Sequence, residues 1–115
     1  MYTRSIIVGE VVWRTLSCTG NGPSPRYRHT CTLIQNGNPK TDEDLLIIFG
    51  GIGENMCCLN DLYIFDLGNM NWVDLGIPTG DIPAPLFGHT SFPVRSGPSV
   101  DCCDALMVFG GRCVK

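Results

Sequence analysis

Charge is what this sequence has least of. Only 17% of its 115 residues are Asp, Glu, Lys or Arg, and just 8 are basic, leaving a net charge of −3. Holding a nucleic-acid backbone takes a concentrated basic face, so no nucleic-acid partner is expected. Long apolar runs are missing too: residues 5–12 are too few to cross a bilayer and include Glu10, so no membrane span is expected. Met1 is not followed by a charged region, an apolar core and a small-residue cleavage site, so no secretory leader is expected and a cytoplasmic location is. Familiar catalytic signatures are also lacking. There is no C-x-x-C pair and no G-x-S-x-G elbow, and Gly50-Gly51 is followed by neither a Lys nor a helix that would make a phosphate loop. No set of nucleophile, base and oxyanion donor stands out, so the chain is expected to be no enzyme and to carry no cofactor.

What the sequence has in quantity is apolar residues, at 43%, with 14 glycines and 8 prolines. That is enough for a packed core and suits many short strands joined by turns. The organising stretch is Leu45-Leu46-Ile47-Ile48-Phe49, which runs directly into Gly50-Gly51. Five apolar residues in a row fit a strand covered on both faces, and the β-branched pair Ile47-Ile48 favours strand over helix. The two glycines let the backbone adopt φ > 0 or let another segment approach closely, so the strand is expected to end there at a turn.

The stretch occurs twice. Sixty residues on, Leu106-Met107-Val108-Phe109-Gly110-Gly111 repeats it, and the approach repeats as well. Thr19-Gly20 answers to Thr79-Gly80, Pro23 and Pro25 to Pro83 and Pro85, His29-Thr30 to His89-Thr90, and Asp44 to Asp104. A fixed period with turn residues in register is the signature of a repeat architecture. Along the chain, residues 5–8, 11–16, 29–34, 45–49, 62–66 and 72–75 are expected to be strands, separated by loops rich in Gly, Pro and Asn.

The order of Pro25-x-x-x-His29-Thr30, an apolar strand into Gly50-Gly51, Leu62-Tyr63-Ile64-Phe65-Asp66 and then Trp72 resembles the kelch repeat. The resemblance implies an all-β, kelch-type β-propeller in which each repeat is one four-stranded blade. On that basis repeat one spans about residues 25–75 and is a complete blade. Repeat two, residues 85–115, supplies only the two inner strands of the next, and residues 1–16 supply outer strands of the blade before. The chain is then expected to be a partial propeller, and alone it should associate through the uncovered inner strand. The resemblance also implies a protein-interaction module that binds a protein partner through loops at one propeller face. The alternative it leaves is a part of a galactose-oxidase-like propeller enzyme, whose ligands would come from elsewhere in the propeller.

In a repeat protein scaffolding recurs in each unit, whereas a site need occur only once. His29 and His89 therefore count as structural, with ring nitrogens expected to hold loop carbonyls. Trp13 and Trp72 count as packing between blades. The 7 cysteines, an odd number, are expected to be buried or idle thiols. Cys57-Cys58 and Cys102-Cys103 belong to loops at opposite ends of a blade, which opposes a shared zinc site; Cys18, Cys57, Cys58 and Cys113 are a conceivable cluster on one face. Asp42, Glu43 and Asp44 are expected to be a solvated turn.

Function is sought where the repeats differ. Arg26 and Arg28 of repeat one become Leu86 and Gly88 in repeat two. Tyr27 aligns with Phe87, and if it points inward, strand alternation sends Arg26 and Arg28 outward together. The kelch resemblance implies that this segment lies at the channel mouth, where some kelch domains grip acidic peptides with an arginine. Arg28, supported by Arg26, is thus the candidate contact for an acidic segment of a partner protein.

Overall fold

The structure is a computed structural model that describes residues 2–7, 9–95 and 104–113. Among the described residues eight antiparallel strands carry the fold: β1 (Tyr2–Ile7), β2 (Glu10–Thr15), β3 (Thr30–Ile34), β4 (Leu45–Ile52), β5 (Cys58–Asp66), β6 (Asn71–Trp72), β7 (Phe87–Arg95) and β8 (Asp104–Arg112). They form one four-stranded sheet in the order β3-β4-β5-β6 and two hairpins, β1-β2 and β7-β8. This is the all-β, partial propeller expected from the repeat, with one complete blade and parts of two others. No described helix is long and apolar enough to cross a membrane. Of the expected strand over residues 5–8, Val8 lies outside the described residues, as do Cys102 and Cys103.

Alternation builds the blade's core. In β3, Thr32 and Ile34 are buried while Cys31 and Leu33 face out; in β4, Ile47 and Phe49 are buried. Phe65 of β5 is fully enclosed, and Trp72 of β6 lies against it with ring centroids 4.9 Å apart. The sheet's far end is locked by Asp66. Its carboxylate accepts the Gly68 and Asn69 backbone N–H groups and the Asn38 and Asn69 side-chain amides, and these hydrogen bonds, led by those from Asn69, hold its pKa below the usual carboxylate value. In the neighbouring acidic turn, Asp44 accepts the Asn36 N–H and fixes the loop.

The glycine pair corrects one expectation. β4 does not end at Gly50 but continues to Ile52 through a bulge, where its register against β5 shifts between Phe49 and Gly51. Both glycines have positive φ, +65° and +97°. A Cβ on Gly51 would stand 2.8 Å from the Tyr27 carbonyl oxygen and from the His29 Cβ; one on Gly50 would stand 2.7 Å from the Leu86 carbonyl oxygen and 3.0 Å from the His89 ring. Each glycine is therefore the seat of a histidine, the second for its own repeat and the first for the next. Gly111 repeats the arrangement, with the His89 Cβ 2.8 Å from where its own would be.

The histidines are structural by shape more than by hydrogen bonding to loop carbonyls. His89 is buried and edge-on to Phe49, with centroids 5.3 Å apart; its Nε2 shares a hydrogen bond of 2.9 Å with the Thr30 hydroxyl, and its Nδ1 is buried with no partner. Below it the Thr32 and Ser91 hydroxyls share another, and Arg95 donates to the Gln35 carbonyl at 2.6 Å. β3 and β7 are thus joined along their length by a polar ladder, with Phe49 as the apolar anchor.

Candidate partner-binding face

The segment from Pro25 to His29 enters the blade without being a strand. Tyr27 alone pairs with β4, exchanging backbone hydrogen bonds of 3.0 and 2.8 Å with Ile52. Arg28 then takes φ = +55°, a left-handed turn that non-glycine residues seldom adopt. Side chains consequently do not alternate as they would along a strand, and Arg26 and Arg28 part company.

Arg26 turns inward. Its side chain is only 3% exposed. Its guanidinium makes a two-pronged contact with Asp61 of β5, NH1 to Oδ1 at 2.5 Å and NH2 to Oδ2 at 3.0 Å. NH1 also donates to the Gly50 carbonyl at 3.1 Å, Nε donates to the Ser24 carbonyl at 3.2 Å, and the group lies 5.4 Å from the Tyr63 ring centroid. All three nitrogens are engaged, so Arg26 clamps its own loop to the β4 bulge and β5. The expectation that Arg26 points outward together with Arg28 is corrected accordingly. Tyr27, expected inside, is instead 47% exposed, with its hydroxyl 3.2 Å from the Met56 sulfur.

Arg28 turns outward. It is exposed, has no carboxylate partner among the described residues, and sits with its guanidinium carbon 5.8 Å from the centroid of Phe87. Its carbonyl accepts the Gly88 N–H at 2.9 Å, and beside it Gly51 donates to Leu86 at 2.8 Å. Arg28 is therefore held at the seam between the repeats by its backbone while its charged end stays in solvent. Phe87, buried below it, pairs in register with Arg112 at the end of β8, which is also exposed. Two cations from two repeats thus stand near Phe87, Arg28 over its ring and Arg112 opposite it in strand register. Arg112 escaped notice in the sequence, although it follows Gly110-Gly111 where Ile52 follows Gly50-Gly51, which is the kind of difference between repeats that singled out Arg28.

Among the described residues the expected cysteine cluster does not gather. Thr19, next to Cys18, exchanges backbone hydrogen bonds with Met70 and Trp72 near the β5-β6 turn, whereas Cys58 opens β5 at its opposite end. Cys18 is therefore separated from Cys57 and Cys58, and the one-face cluster is not formed. Of the cysteines expected to be buried or idle, Cys18, Cys31, Cys57 and Cys113 are exposed and Cys58 is half-buried. Partial burial still pushes the Cys31 thiol above its ordinary pKa, away from reactivity. Among the described residues no three His, Cys, Asp or Glu side chains are grouped to hold a metal ion.

Comparison with known proteins decides the family. The KLHDC2/KLHL20/DRC7 Kelch-repeats domain matches residues 5–115. The chain belongs to the kelch-repeat family. Among its relatives are the Rho GTPase-activating protein gacHH of Dictyostelium discoideum, 38% identical over 77% of this chain and 5% of that protein. Acyl-CoA-binding domain-containing protein 5 of Arabidopsis thaliana is 31% identical over 73% of this chain and 12% of its own length. The Rab9 effector protein with kelch motifs of Xenopus laevis is 31% identical over 75% of this chain and 22% of its own length. The chain thus matches a small part of each of these proteins, the last of which carries kelch motifs in its name.

Proposed function

We propose that this kelch chain serves as a protein-interaction module and that it binds an acidic segment of a partner protein, with Arg28 as the principal contact. Membership of the kelch family supports the general role. The observation that carries the specific one is the contrast within a single loop: Arg26 is spent on Asp61 and Gly50, whereas Arg28 is exposed, unpaired with any carboxylate among the described residues, and fixed over Phe87. A guanidinium held in place by its backbone loses little freedom on binding, and its planar fork meets a carboxylate through two parallel N–H groups. Arg112 takes the supporting place that the sequence assigned to Arg26. Because the chain as a whole is acidic, with a net charge of −3, attraction at long range is weak and affinity comes from direct contact.

The test is to capture the partner with the intact protein, locate its acidic segment, and titrate that segment as a peptide into wild type and Arg28→Ala. Losing a hydrogen bond to a charged group should weaken binding by about 1.5–3 kcal/mol. Equal affinities would leave Arg28 as a solvated surface charge.

A further inference from the structure

The two repeats differ in the entry loop at more than the arginines. Pro23-Ser24-Pro25-Arg26 of repeat one becomes Pro83-Ala84-Pro85-Leu86 in repeat two, so a serine and an arginine two residues apart are exchanged together for apolar residues. Of the 8 prolines in the chain, Pro25 alone follows a serine or threonine. Ser24 is exposed, and among the described residues no backbone–backbone hydrogen bond is made from residue 20 to residue 26. The proline after it holds Ser24 extended, and the loop has no strand pairing to break when another protein's cleft takes it up.

The guanidinium of Arg26 has two edges. One, NH1 with NH2, is held end-on by the Asp61 carboxylate at 2.5 and 3.0 Å. The other, Nε with NH2, faces Ser24: Nε donates to its carbonyl at 3.2 Å and NH2 to its hydroxyl at 3.4 Å. Both contacts are long for a guanidinium, and both go to neutral oxygens. An arginine only 3% exposed thus keeps its second edge aimed at the hydroxyl of an exposed Ser-Pro pair.

We propose that Ser24 is a phosphorylation site and that the Nε-NH2 edge of Arg26 receives its phosphate. The phosphate donor is ATP and the catalyst a proline-directed protein kinase. Ser24 Oγ forms a bond to the γ-phosphorus, the bond from that phosphorus to the β–γ bridging oxygen breaks, ADP departs, and the serine proton passes to the kinase's carboxylate base. The product carries a charge of about −2 and three acceptor oxygens. On the edge that faces it, long contacts to neutral oxygens give way to charge-assisted hydrogen bonds, while Asp61 keeps the other edge. Asp61 opposes the new charge, but it lies across the guanidinium and is 38% exposed, so solvent weakens its effect more than that of the cation in direct contact. The modification tightens the clamp between the entry loop and β5. Repeat two, with Ala84 and Leu86, has neither the hydroxyl nor the cation. No partner protein enters the argument, which stands apart from the acidic-segment reading of Arg28.

The experiment treats the full protein with a purified proline-directed kinase and ATP and maps the product by tandem mass spectrometry. Ser24 should carry the phosphate, and Ser24→Ala should lose that modification. Phosphorus NMR of the product should show the phosphate's second ionisation below its ordinary pKa of about 6 in the folded protein and back at that value in urea. Phosphorylation should raise the melting temperature by about 2–4 °C. In Arg26→Lys, which keeps a charge but has no fork, the rise should be smaller. An unmodified Ser24, a phosphate that titrates alike in the folded protein and in urea, a melting temperature that falls, or an undiminished rise in Arg26→Lys would each overturn the proposal.

Discussion

Phe49 and Phe109 hold the same place in the two repeats and have opposite surroundings: the first is 3% exposed and the second 77%. Both close an apolar run that leads into a glycine pair within a longer strand. The difference is that β5 pairs with β4 and His89 of the next repeat packs on Phe49, while no described segment does the same for Phe109. The first glycines show the same contrast. A Cβ on Gly50 would strike Leu86 and His89, whereas one on Gly110 would meet nothing within 4 Å. In this fold a repeat's core is finished by its neighbour, so equal residues have unequal worth according to what stands beside them.

The largest effect expected from this contrast is at the phenylalanines. Phe49→Ala should cost about 3–5 kcal/mol, as emptying a packed core site does, while Phe109→Ala should stay within about 0.5 kcal/mol, as surface substitutions do. Denaturant titration of the two variants separates them, and comparable losses would break the comparison. The glycines come next. Gly50→Ala and Gly110→Ala both place a side chain at positive φ, worth about 1–2 kcal/mol, but only the first also drives a Cβ into a backbone oxygen. Gly50→Ala should therefore be the more damaging of the two by thermal melting.

Acid should act on the same seam more gently. Burial lowers the pKa of His89 from its ordinary value of 6.5, with the Phe49 backbone opposing and His29 assisting; burial and then Arg26 lower that of His29. The groups facing His89 are the Thr30 hydroxyl and the ring and backbone of Phe49, with His29 the titratable neighbour. The unfolded chain thus takes up protons at a higher pH than the folded one. The stability from keeping these rings neutral is complete above about 6.5 and is lost as pH falls from there through the lowered folded values. Melting temperature should fall between pH 7 and pH 5, and the fall should be smaller in His89→Asn. A decline of the same size in that variant would place the acid sensitivity elsewhere.

The fold was legible because the sequence says it twice: the register of prolines, histidines and glycine pairs marks the blade, and apolar runs mark its strands. The paired roles of His89 and Gly50 were half legible, since both recur, but that each glycine seats a different repeat's histidine emerges only in three dimensions. The direction of the arginines was not legible. It depends on the left-handed turn at Arg28, which the residue itself does not announce and which only Gly88, its counterpart in repeat two with φ = +65°, hints at, and on Asp61, which lies 35 residues from Arg26 and meets it only after β5 has paired with β4. Cys18 was misplaced for a similar reason, because the loop carrying it runs beside β6 and fixes Thr19 at the far end of the blade.

Two arginines two residues apart thus divide stability from binding, and a paired experiment on the full protein tests that division: thermal melting, and titration with the partner's acidic peptide, for Arg26→Ala and Arg28→Ala. Removing Arg26 leaves the Gly50 carbonyl and Asp61 without their donor, so that variant should lose about 1–3 kcal/mol of stability. Arg28→Ala should melt with wild type and bind the peptide at least tenfold more weakly, about 1.4 kcal/mol. An Arg28→Ala variant that melts early and binds normally, or an Arg26→Ala variant that melts with wild type, would contradict it.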